Sequence, residues 1–158
     1  MKPIIAITAG DVAGVGPEVI LRAIENPETV SICHPVLIGH PEIFRRAGVV
    51  FGLRVPLQEY ADNSDTTRLR AAVAAARMKR EILCIDPAGH NALSAPRCRV
   101  SREAGDAAFQ YLEAAINLAK RSSVDAIVTA PLNKEALHLA GYDFPGHTEI
   151  LADRCGIQ

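Results

Sequence analysis

Apolar and polar residues along this chain follow two patterns. Short, unbroken apolar runs read as strands buried on both faces: Pro3 to Thr8, His34 to Gly39, "EILCIDP" from Glu81, and "VDAIVTAP" ending at Pro131. The last predicts a strong central strand. "LRVPLQEY" from Leu53 predicts a further strand, which Pro56 confines to an edge. Between these runs the spacing turns helical. Pro17 stands where proline suits a first helical turn, and the helix it opens continues to Asn26-Pro27. "HPEIFRRAG" predicts a short helix closed by Gly48. The stretch from Asp62 to Arg80 has helical composition, with Asp65 as its cap. Ser101 caps a long amphipathic helix with apolar positions at Ala104, Ala107, Ala108, Tyr111, Leu112, Ala115, Ile116 and Leu118. "NKEALHLAG" predicts a short helix stopped by Gly141, and "TEILADRCG" opens a last one. "AGHNALSAPRCRV" and "YDFPGHTE" carry turn residues and read as loops. Strands alternating with helices predict an α/β fold around a mostly parallel sheet, with no internal repeat and no linker.

Composition narrows the core and the partners. Hydrophobic residues are 49% of the 158, yet aromatics are only 4% and Trp is absent, so Ala, Val, Ile and Leu must fill the interior. The formal charge of -1, from 17 basic and 18 acidic residues, leaves no basic excess to neutralise a nucleic-acid backbone. No run of about 18 apolar residues suggests a membrane span. The short apolar N-terminus reads as a first strand rather than a leader. Cys33, Cys84, Cys98 and Cys155 form no CxxC pair and are expected to be reduced packing residues in a cytoplasmic protein.

Two loops carry the candidate chemistry. The first, "ITAGDVAGVGPEVI" from Ile7, drops from a strand into a glycine-rich turn at a carboxyl-end edge, where α/β sheets bind ligands. Gly10, Gly14 and Gly16 allow close backbone approach, and free N–H groups at the helix start favour an anion. Its spacing is neither a P-loop nor the dinucleotide fingerprint, and Asp11 and Glu18 put two carboxylates beside it. A tight turn with purely structural glycines fits the residues equally well. The second loop, "VTAPLNKEALHLAGYDFPGHTE", follows another strand and gathers Thr129, Asn133, Lys134, His147, Thr148 and Glu149. Lys134 suits a carboxylate or phosphate. His147 and Thr148 suit a hydroxylated substrate, with His147 also able to move protons near neutrality. The plainer alternative is a helix cap at Thr148 beside an exposed loop histidine. His34, His40, His90 and His138 lack metal-ligand spacing, so no metal site is expected wholly within the chain.

Taken together, "ITAGDVAGVGPEVI", "IVTAPLNKEAL" and "FPGHTEILA" resemble the 4-hydroxythreonine-4-phosphate dehydrogenase family of the PdxA type, with its relatives acting on erythronate or threonate 4-phosphate. The resemblance covers essentially the whole chain. It implies a three-layer α/β/α architecture like that of isocitrate and isopropylmalate dehydrogenases, with residues 1–158 as the N-terminal portion of a two-subdomain enzyme. It also implies an NAD- or NADP-dependent, metal-dependent oxidation of a phosphorylated hydroxy acid by a cytoplasmic homodimer. In the hydroxythreonine case, which belongs to pyridoxal phosphate synthesis, decarboxylation follows. His147 and Thr148 become the substrate-binding pair. The Gly10 to Glu18 turn and Asn133 and Lys134 become cleft-lining residues. The divalent metal (Zn, Mg or Co) would take its ligands, and the substrate phosphate its anchors, from sequence beyond this chain. Val12 stands where the family usually has Pro. A chain of this length alone is expected to lack the metal and most of the activity. It would leave sheet edges and a cleft wall uncovered and tend to self-associate. Two other readings stay open: a non-catalytic anion-binding module, and a remnant that pairs with a longer partner.

Overall fold

In the computed structural model, residues 2–61 and 65–156 are described. Their five-stranded sheet has the order β3-β4-β2-β1-β5, and every neighbouring pair is parallel. The strands are β1 (Ile4–Thr8), β2 (His34–Ile38), β3 (Leu57–Glu59), β4 (Ile82–Ile85) and β5 (Ala126–Thr129). The helices are α1 (Gly16–Glu25), α2 (Pro27–Ile32), α3 (Pro41–Phe51), α4 (Thr66–Met78), α5 (Asn91–Ser94), α6 (Arg102–Lys120), α7 (Lys134–Leu139) and α8 (His147–Cys155). Parallel pairing requires a crossover between strands. It also sends all the strands' carboxyl ends to one edge, so the two candidate loops leave from neighbouring positions. Among the described residues no helix is long and apolar enough to cross a membrane.

Local chemistry explains most element boundaries. Asn26, Asp65, Ser101 and Asn133 each accept a backbone N–H at the start of a helix. His40 does the same with Nδ1, which accepts from the Glu42 N–H. Pro27 ends one helix and opens the next, so α2 forms where the sequence suggested only a stop. The expected closure of α3 at Gly48 is corrected. Gly48 is buried inside that helix, close to the Leu53 carbonyl, and Gly52, at φ 66, ends it. The run from Leu53 becomes a strand only after Pro56, at the sheet edge. The stretch from Ala88 to Val100, read as a loop, contains α5. The helix expected between Asp62 and Arg80 is present from Thr66, with residues 62–64 outside the described set.

The largest correction concerns β5. Its apolar run predicts a central strand, but it lies at the end of the sheet and Val128 is 51% exposed. An apolar run reports what a strand is suited to bury, not which neighbours are in place.

Two apolar clusters hold the layers. The larger spans the sheet and includes Ile4, Ala6, Val36, Leu37, Leu83 and the α6 residues Ala107, Tyr111 and Ala115. The smaller joins Phe109, Leu112 and Ile116 of α6 to Leu137 of α7 and Ile150 of α8. Gly105 makes this second contact possible: a Cβ there would lie 1.9 Å from the Ala136 carbonyl oxygen. Gly105→Ala should therefore push α7 off α6 and cost about 3 kcal/mol, the upper range for overpacking, read as a lowered urea midpoint.

Candidate active site

The two loops meet at one peptide, Ala130-Pro131, just past the end of β5. The Asp11 N–H donates to the Pro131 carbonyl at 2.9 Å, and the Ala130 N–H donates to Thr8 at 3.1 Å. Gly10 sits at φ +65, and a Cβ on it would lie 2.3 Å from the Pro131 oxygen and 2.7 Å from that of Ala130. A Cβ on Gly16 would lie 2.2 Å from the Ala9 oxygen and 3.0 Å from the Ala130 side chain. Both glycines are therefore required by backbone approach. Gly14 is different, since its nearest built contacts start at 3.4 Å, an ordinary separation.

The two carboxylates of the turn separate. Asp11 closes the turn on itself: its Oδ1 accepts the Ala13 N–H at 2.9 Å. Burial pushes its carboxyl above the usual range, against the opposing effect of the Ala13 bond. Glu18 is not among the residues that line the second loop's recess. It and Gly14 line a groove between α1, α3 and the 95–98 segment. Within the turn from Gly10 to Glu18, Gly10 and Asp11 lie against the residues just past β5, Gly16 lies against Ala9, and Gly14 and Glu18 line the groove beside α3.

The second loop forms a recess of about 440 Å³ lined by Pro131, Lys134, Gly146, His147, Thr148 and Glu149, among others. His147 is half-buried at the first position of α8. Burial lowers its pKa, while a hydrogen bond to the Ala130 backbone, in which the ring is the donor, works the other way. Thr148 does not cap α8. Gly146 is the N-cap residue and supplies no side-chain acceptor. The Thr148 side chain is exposed to the recess instead, and the expected cap is corrected. Asn133 is committed in part, since its Oδ1 accepts the Ala136 N–H at 3.0 Å to cap α7. Lys134 is exposed, and its Cε lies 3.8 Å from where a Gly146 Cβ would stand. Its charge adds to the positive end of α8, whereas Glu149 brings a carboxylate to the same rim.

An aromatic brace, invisible to sequence spacing, fixes this loop. Tyr142 stacks on Phe109 of α6, with ring centroids 3.7 Å apart, and its hydroxyl donates to Asp106 Oδ1 at 2.7 Å. Phe144 packs beside Phe109, and the Arg154 guanidinium lies over both phenylalanine rings. Glu113 pairs with Arg154 at 3.0 Å. The segment leading to His147 is thus pinned to α6 on one side, and α8 on the other. The only signal in the sequence is the "YDF" pair of aromatics after Gly141.

The remaining histidines have structural roles or lie at the surface. His40 caps α3 through Nδ1, with Nε2 3.7 Å from Asp86. His138 lies 3.6 Å from Asp143 at the surface. Among the described residues, no three His, Cys, Asp or Glu side chains come together as a metal-holding group.

Two outcomes follow from this geometry. Gly16→Ala should cost about 3 kcal/mol in urea unfolding, while Gly14→Ala should stay within about 1 kcal/mol, because only the former drives a Cβ into backbone. The His147 imidazole should titrate below the ordinary histidine value of about 6.5, read from its NMR shifts. A folded pKa below the unfolded one contributes stability that is complete above the unfolded value. That contribution is lost as pH falls through the folded value. His147→Gln should remove this share of the acid sensitivity.

Comparison with known proteins agrees with the fold. The family model described as "Pyridoxal phosphate biosynthetic protein PdxA" matches residues 31–158. The D-threonate 4-phosphate dehydrogenase of Cupriavidus necator is 41% identical over 150 residues, which is 95% of this chain and 42% of that protein. The 4-hydroxythreonine-4-phosphate dehydrogenase of Trichlorobacter lovleyi is 34% identical over 154 residues, covering 98% of this chain and 44% of that protein. The crystal structure of a 4-hydroxythreonine-4-phosphate dehydrogenase from Burkholderia phymatum superposes with a TM-score of 0.85 at 37% identity, over 100% of this chain and 45% of that one. The chain therefore spans less than half the length of these relatives. With a family model matching most of its residues and a fold shared along its whole length, the chain belongs to the PdxA family.

Proposed function

We propose that this chain is the N-terminal portion of an enzyme that oxidises a four-carbon phosphorylated hydroxy acid, and that the recess at His147 and Thr148 receives the substrate. The observation that carries this reading is the pairing within the recess of an uncapped Thr148 hydroxyl with a half-buried His147. Lys134 and the N-terminus of α8 make the same place attractive to an anion. A hydroxy acid phosphate presents hydroxyl, carboxylate and phosphate, so it offers a partner to each. The names of the relatives, threonate 4-phosphate and 4-hydroxythreonine-4-phosphate dehydrogenases, supply the substrate class.

In this reading the substrate's secondary alcohol becomes a ketone, its carbon-bound hydrogen leaves as hydride, and the hydroxyl proton goes to a base. A bound nicotinamide supplies the hydride acceptor. His147 holds one proton position against Ala130 and presents its other ring nitrogen as an acceptor for a substrate hydroxyl, a role that its lowered pKa favours by keeping the ring neutral. Thr148 donates or accepts beside it, and Lys134 steers the acid end. The divalent metal implied by the resemblance does not fit the side chains described here, since no ligand group assembles among them. Its ligands belong to sequence beyond this chain. The enzyme works as a homodimer.

Similarity favours threonate 4-phosphate over the 4-hydroxythreonine compound by a small margin: the matches at 41% and 40% identity carry the former name, and the B. phymatum structure at 37% and a match at 34% carry the latter. The direct experiment supplies each compound with NAD+ or NADP+ to a family-length protein containing this chain and follows reduced nicotinamide at 340 nm. His147→Ala in that protein should lower kcat/KM by about 100-fold or more with its far-UV spectrum and urea midpoint unchanged. Turnover equal to the parent's would remove His147 from the substrate's reach.

A further inference from the structure

The sheet edge opposite the recess, where the strands begin, carries a cavity of its own. Its volume is about 350 Å³. The start of β2 lines it with His34 and Pro35, and the start of β4 with Ile82 and Leu83. Val30 of α2 and Val73 and Ala76 of α4 add to an apolar lining.

Cationic groups converge on this cavity. Arg77 and Arg80 line it, and Lys2 donates from Nζ to the carbonyl of Val30 at 3.1 Å. Among the described residues neither Arg77 nor Arg80 forms an ion pair. Glu81 is the single carboxylate on the lining. Burial, and then the charges of Arg77 and Lys2, hold the His34 imidazole below its usual pKa, which sets both cations against the same corner. Arg80 also stands at φ 60, the left-handed region where glycine is the usual residue after a helix. Its N–H donates to the Arg77 carbonyl at 3.0 Å, and the Glu81 N–H donates to that of Ala76 at 2.9 Å, which closes the turn. Glycine would make this turn with less strain, and the arginine brings a guanidinium to the cavity instead.

We propose that this cavity binds a small organic carboxylate with an apolar body of about six to ten carbons, its carboxylate held by Arg77 and Arg80. The volume stands at the small end of the roughly 300–1,000 Å³ of ligand pockets, which limits the body. Two unpaired guanidiniums against one carboxylate leave a single positive charge in excess, and that matches a monoanion. An inorganic anion would leave the apolar lining uncovered, and a neutral apolar molecule would leave the guanidiniums without a partner. The site lies at the edge of the sheet away from His147, so it does not depend on the catalytic reading.

Octanoate is the probe. Titrated by calorimetry into this chain, and into a family-length protein containing it, octanoate should bind saturably at one-to-one. Acetate and octylamine should not. In this chain, octanoate should shift the amide NMR signals of residues 30–35 and 73–83. Arg77→Gln and Arg80→Gly should each weaken binding about tenfold or more. Arg80→Gly should do so without lowering the urea midpoint, because glycine accepts that backbone. Octylamine or octanol binding as tightly as octanoate, shifts confined to residues 146–149, or an affinity unchanged in both variants would each overturn the proposal. So would binding by this chain that the longer protein lacks, which would mean that the cavity is covered there.

Discussion

The peptide Ala130-Pro131 is the constraint on which the rest of this structure depends. One carbonyl accepts the Asp11 N–H of the first loop, and the other receives the His147 ring of the second. Gly10 has no room for a side chain because that same peptide lies against it, and Gly16 has none because the Ala9 carbonyl does. The glycine turn therefore locks the end of β1 to the residues just past β5. A parallel sheet brings strand ends to one edge but does not by itself fix their loops. Here two backbone carbonyls do so, and the recess is built outward from them.

Strands β1, β2 and β4 were legible because burial on both faces leaves an apolar run, and the long α6 because its spacing and its Ser101 cap agree. Boundaries were less so. Gly48 looks like a helix stop because glycine usually is one, yet it was placed by the need to pass close to Leu53. Position in the sheet was not legible at all for β5, since a strand fit for the centre and a strand placed there have the same sequence.

The candidate site was legible in part. "FPGHTE" drew attention to His147 and Thr148, but not to the absence of a side-chain cap that frees the threonine hydroxyl. The opposite holds for Asn133, whose cap role follows directly from its place before a helix. Asp11 and Glu18 are neighbours in the turn, and only the position of α3 separates their surroundings. The aromatic brace depends on residues over thirty positions apart, such as Asp106 and Tyr142, a distance that no local pattern encodes.

The two apolar clusters have a consequence for motion. The larger is built on the sheet, while the smaller holds α7 and α8 to the flank of α6 with a handful of side chains. Cooperative units within a protein open at different free energies, and a small satellite opens more readily than the sheet it leans on. The recess at His147 belongs to that satellite. Hydrogen exchange in α7 and α8 is therefore governed by this smaller cluster, apart from the pairing of β1, β2 and β4.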